Sequence, residues 1–172
     1  MGPVGAPLTP VVVVKVENDP AARPQAGLDG ADLVVEELVE GGMTRFAAVY
    51  QSQFPVSVGP VRSLRHVDAS IVSPIADALS FSGAAPVVLS YVKSNLPKRV
   101  KLFAEGSAGS YRDSNRTAPH NLFVHLDTLA PKVKKRTTPA VGLFARTDNY
   151  TWSDIWALEP FADDLVSCGT LR

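Results

Sequence analysis

Three stretches of this chain place arginine beside glycine and proline, in the kind of loop where a side chain faces a ligand and not a core. In the first, Asn18, Arg23 and Gln25 surround Pro24 and Gly27, giving one guanidinium and two amides on a stiff backbone. A planar guanidinium forks onto carboxylate or phosphate oxygens, so the combination suits anion recognition. In the second, Gly59-Pro60-Val61-Arg62-Ser63-Leu64-Arg65 runs up to a predicted helix, whose amide end would add partial positive charge to Arg62 and Arg65. In the third, Tyr111 to Asn121, Arg112 and Arg116 accompany Asn121 and His120, an imidazole suited to proton exchange. The chain balances 17 basic against 17 acidic residues, so no whole-molecule field draws it toward nucleic acid or acidic membranes, and any charge-driven binding is local. The expectation is that the three loops converge on one pocket for an anion. The bland alternative is that the arginines and amides satisfy loop carbonyls, where most side-chain hydrogen bonds go.

Acidic residues offer a second chemistry. Asp32, Glu36, Glu37 and Glu40 are candidates for a hard-metal ligand or a general base. If they lie on a strand, the adjacent Glu36 and Glu37 point to opposite faces, while Asp32 and Glu36 share one. Neither a Walker phosphate loop, a Gly-x-Ser-x-Gly elbow nor a His-Glu-x-x-His zinc helix occurs. The lone Cys168 excludes an intrachain disulfide and a cysteine-based metal cluster. Lys132-Val133-Lys134-Lys135-Arg136 lacks interleaved aromatics and reads as a solvated run, not a nucleic-acid patch.

The elements that must hold these residues are legible in part. Val11 to Val16 is a β-branched run, broken by Lys15, that predicts a buried strand. Asn18 to Gly27 is crowded with prolines and turn formers and predicts a long shaped loop. Asp32–Glu40 and Thr44–Tyr50 flank Gly41-Gly42 and predict a hairpin or a bulged strand pair. Val67, Ile71, Ile75 and Leu79 recur at four-residue intervals and predict a helix from Val67 to Leu79, kinked or shortened by Pro74. A second helix is predicted from Ala85-Pro86 to about Leu96-Pro97. A short strand is predicted at Lys101 to Ala104, a polar loop from Glu105 to His120, and a third helix near Asp127.

Alternating strand-like and helical pieces predict an α/β (or α+β) fold, a mixed β-sheet layered with a few helices. At 172 residues, 45% of them hydrophobic, the chain suits one core. The expected organisation is a tail over 1–10, an α/β domain over 11–136, and a divergent or truncated segment over 137–172 that holds Trp152 and Trp156.

These segments resemble the N-terminal domain of YerB-like proteins, bacterial envelope lipoproteins whose domain has no assigned activity. The resemblance rests on Lys15-Val16-Glu17-Asn18, Ala22 to Leu28, Ala31-Asp32, Glu37 to Gly42, Gly59 to Ser63, Tyr111-Arg112-Asp113 and Ala118 to Leu122. It implies an extracytoplasmic protein whose export signal and lipid anchor lie upstream, the only route by which the membrane is reached. The implied partners are an anionic cell-wall or small-molecule ligand or an envelope protein, without nucleic acid and without a cofactor. The order of an aspartate before a strand and an arginine pair after a later one is also similar to LytR-CpsA-Psr phosphotransferases, which act on polyprenyl-diphosphate-linked glycopolymers. That resemblance implies Mg²⁺ on Asp32 and a diphosphate on Arg62 and Arg65.

Overall fold

The computed structural model describes residues 9–134, so Cys168, both tryptophans and the 137–172 segment lie outside the described residues. A five-stranded mixed sheet is built from β1 (Val12–Glu17), β2 (Leu33–Leu38), β3 (Thr44–Tyr50), β4 (Ala78–Ser80) and β5 (Lys101–Phe103), in the order β2-β3-β1-β4-β5. β1 lies at its centre, antiparallel to β3 and parallel to β4. A smaller antiparallel sheet pairs β6 (Ser110–Arg112) with β7 (Leu122–Val124).

β1 carries an unbroken valine run because both of its faces are covered, which removes the usual alternation of apolar and polar residues. Val12, Val14 and Val16 pack toward Leu122, Val124 and α3 (Leu126–Leu129). Val11 and Val13 pack on the opposite face against α1 (Asp68–Val72) and α2 (Pro86–Asn95). The fold is therefore a mixed sheet layered with a few helices, of the α+β kind. α2 begins at Pro86, where a missing amide proton costs nothing, and follows Ala85 in extended geometry.

Two predicted elements are corrected. The helix expected from Val67 to Leu79 stops at Val72, and Leu79 belongs to β4 between Val13 and Leu102. Pro74 cannot continue the helical hydrogen bonding, and the apolar spacing beyond it marks a buried strand. The loop expected from Glu105 to His120 contains β6, whose three residues are too few to show a period.

The piece that positions the site is the extended segment 58–62. On one side Val58 and Val61 donate to the carbonyls of Val124 (2.9 Å) and Leu122 (2.6 Å). On the other, Arg62 donates to the carbonyl of Lys15 (2.8 Å), and Glu17 donates to that of Pro60 (2.9 Å). Gly59 makes this path possible. Its φ is +155°, and a Cβ there would lie 2.9 Å from the Leu122 carbonyl oxygen and 2.8 Å from the Phe123 ring.

Candidate functional site

The first and third arginine loops meet. Arg116, on the β6–β7 connection, donates through Nη1 to the carbonyl of Ala22 (3.0 Å) and through Nη2 to that of Pro24 (2.7 Å). Its guanidinium also lies over the Phe123 ring, 5.1 Å from the centroid. Between the two loops opens a cleft of about 500 Å³ lined by Ala21, Arg23, Pro24, Arg116, Thr117 and His120. Arg23 is exposed there and is steadied by the side-chain oxygen of Asn18 at 3.1 Å. Gln25 donates to the carbonyl of Glu17 (3.0 Å) and so fixes the loop from beneath without lining the cleft.

The second loop reaches the same place from below. Arg62 sits 3.0 Å from one carboxylate oxygen of Glu17, and His120 Nδ1 lies 2.9 Å from the other. Glu17 is buried at the end of β1, so Arg62, Glu17 and His120 form a chain from the sheet to the cleft. An ionised carboxylate only accepts hydrogen bonds, so pairing with an ionised Glu17 assigns the imidazole proton to Nδ1. Nε2 is then the remaining polar atom of the ring.

Other expected site residues are placed elsewhere. Arg65 bridges to Glu40 through Nε (2.7 Å) and Nη2, and this guanidinium holds the Glu40 carboxyl down to about 2. Arg112 donates to Glu105 (2.7 Å) and to Asn121 Oδ1 (2.5 Å), so Arg112 and Asn121 brace the hairpin and do not line the cleft.

Asp32 Oδ2 accepts the backbone amides of Gln51 (2.6 Å) and Ser52 (2.9 Å), closing the turn after β3. It also lies five residues before Glu37, roughly 16 Å along β2 at ordinary strand rise. The Glu37 end is the one that meets Arg45 and Glu17 across the sheet. The carboxylate and the arginines therefore do not fit a shared magnesium diphosphate site. Among the described residues no group of three or more His, Cys, Asp or Glu is arranged to hold a metal ion.

A buried charge cluster went unrecognised in the sequence. Lys15 is 0% exposed and pairs with Glu37 and with Asp68, the latter at 2.7 Å. Glu17, Arg45 and Glu37 lie in one row across β1, β3 and β2, and Arg45 donates to the carbonyl of Ser63 (2.8 Å). Burial is the chief influence on both Glu37 and Arg45, raising the carboxyl and lowering the guanidinium. The signal was available in the strand period, because Lys15 and Glu17 share the face of Val11 and Val13. Glu36, one residue from Glu37, instead faces Thr44 (2.6 Å) and Asn18 (3.2 Å), as the opposite-face expectation required.

Comparison with known proteins agrees with this architecture. Residues 4–139 match the family described as "Protein of unknown function (DUF3048) N-terminal domain". The Bacillus subtilis (strain 168) protein named "Putative lipoprotein YerB" is 34% identical over 146 residues, covering 81% of this chain and 43% of the relative. The crystal structure of YerB protein from Bacillus subtilis superposes with a TM-score of 0.64 at 34% identity, over 73% of this chain and 43% of that one. The chain thus spans less than half the length of the relative it matches. Among the described residues no helix is long and apolar enough to cross a membrane. On these matches, the chain belongs to the DUF3048 family, within the N-terminal domain that the family model describes.

Proposed function

We propose that this domain binds an anionic ligand in the cleft between the first and third arginine loops, as part of an extracytoplasmic, lipid-anchored protein. The observation that carries this reading is that Arg23, Arg116 and His120 line one cavity although they come from loops about ninety residues apart. Two guanidiniums at the rim favour an anion, and each keeps N–H donors beyond those spent on loop oxygens, although Arg116 Nε also faces the Asp113 carboxylate at 3.8 Å. The placement outside the cell rests on the lipoprotein name of the Bacillus subtilis relative. A cell-wall polyanion or a smaller phosphate compound satisfies the same chemistry; a protein partner would need an acidic side chain or terminus to enter.

Calorimetric titration with inorganic diphosphate and with solubilised wall fragments tests the reading. Binding that weakens at least tenfold in Arg23→Ala, with the thermal midpoint unchanged, is the expected result. Equal heats for the parent protein and Arg23→Ala, or no saturable heat with either probe, would remove it.

A further inference from the structure

The chain from Arg62 through Glu17 to His120 is more than a charge at the cleft floor requires. An anion site needs donors, and a third arginine or a lysine would serve. Instead the cleft receives an imidazole whose Nδ1 is held at 2.9 Å by a buried carboxylate, itself held at 3.0 Å by Arg62. Glu17 is 3% exposed and His120's side chain 23%, so the carboxylate is shielded from water while the imidazole reaches it. With the proton fixed on Nδ1, neutral His120 carries its lone pair on Nε2. That is the tautomer of a general base, oriented by a third group as in other base-and-orienter pairs.

We propose, resting on the anion-binding reading, that this cleft hydrolyses a diphosphate monoester, with His120 as the general base and Glu17 as its positioning residue. The leaving group narrows the substrate class. Among the described residues, neither Asp, Glu, Lys, Cys nor Tyr lines the cleft beside His120, so none of them supplies a second acid there to protonate a departing alkoxide. A phosphate leaving group needs no such proton, and guanidiniums at the rim neutralise the charge it develops. A water molecule attacks the terminal phosphorus while His120 Nε2 takes its proton. The bond from that phosphorus to the bridging oxygen breaks, and its electron pair stays on the oxygen of the monophosphate product. Inorganic phosphate and the monophosphate leave, and the imidazolium returns its proton to solvent. Nothing is oxidised or reduced.

The test measures phosphate release from ADP and from geranyl diphosphate, with Mg²⁺ and in EDTA, alongside binding of both by calorimetry. The two probes separate recognition of the diphosphate alone from recognition of an apolar tail. Release that falls at least a hundredfold in His120→Ala, with binding reduced tenfold or less, supports the proposal. His120 is partly exposed, so its removal leaves the core intact, and circular dichroism checks this. Nitrogen-15 spectra of the histidine ring provide the second readout: the parent protein is expected to show the Nδ1–H form, and Glu17→Gln, whose amide can also donate to Nδ1, is expected to raise the share of the Nε2–H form and to lower turnover. Saturable binding without phosphate release, or release that His120→Ala leaves unchanged, overturns the proposal while the anion-binding reading stands. Absence of binding to either probe, joined to no saturable heat with inorganic diphosphate or with wall fragments, sinks both.

Discussion

The Lys15 cluster and the Arg116 cleft use the same kinds of side chain to opposite ends. Lys15, Glu37 and Asp68 are sealed between the sheet and the start of α1. Arg116 and His120 keep about a quarter of their side-chain surface in contact with water. Charges taken out of water survive only if paired, and each member then becomes costly to remove alone. Charges left at a wet rim are individually cheap and stay available to a ligand. Water access, not residue type, separates architecture from candidate chemistry here.

The sharpest way to break the comparison is Lys15→Met. It strands two carboxylates in the interior and is expected to cost about 3–5 kcal/mol in urea unfolding, the usual penalty for orphaning a buried charge. A loss under about 1 kcal/mol would show that the cluster is wet. Arg116→Ala comes next. It removes two hydrogen bonds to carbonyls and the contact with Phe123, with an expected cost of about 1–2 kcal/mol and weakened diphosphate binding. Arg112→Ala is the control, because its partners lie outside the cleft: diphosphate affinity is expected to stay within twofold.

Glu37→Gln sharpens the comparison through pH. Burial raises the Glu37 carboxyl above its ordinary 4.5, so the folded state holds that proton more tightly than the unfolded chain does. Stability from this group is present below about 4.5 and is lost as pH rises through the folded value. Glutamine, which stays neutral, is therefore expected to be better tolerated at pH 7 than at pH 4.5 in parallel denaturation curves. A penalty that grows with pH would show that the Lys15 pair outweighs burial.

The smallest effect belongs to Arg65→Ala. Glu40 is depressed to about 2 by the Arg65 guanidinium, so this pair's contribution is present above 4.5 and fades as pH falls through 2. The pair is solvent-screened, and the expected change in unfolding free energy at neutral pH is under about 1 kcal/mol.

The sequence made the β1 valine run, the Gly41-Gly42 hairpin and the Pro86 helix start legible, because each is a local signal. The three-residue strands β4 and β6 were not, since their order comes from pairing with distant partners. The site divides in the same way. Guanidiniums beside glycine and proline marked the loops, but which arginines meet depends on tertiary pairing. Arg65 and Arg112 found acidic neighbours on their own side of the fold. Glu17 was visible as a charge closing an apolar strand, yet its imidazole partner stands 103 positions away. Lys15 was read as an interruption of the valine run, when its strand parity already placed it inside.

The clasp that Arg116 makes on Ala22 and Pro24, across 94 and 92 positions, joins the small sheet's connection to the loop after β1. If that hairpin loosens, the cleft loses a wall while the five-stranded sheet keeps its own pairing. An occupant that touches both loops should therefore tighten the clasp and slow amide exchange in β6 and β7 more than in β1, so that occupancy can be read from the small sheet without knowing what the occupant is.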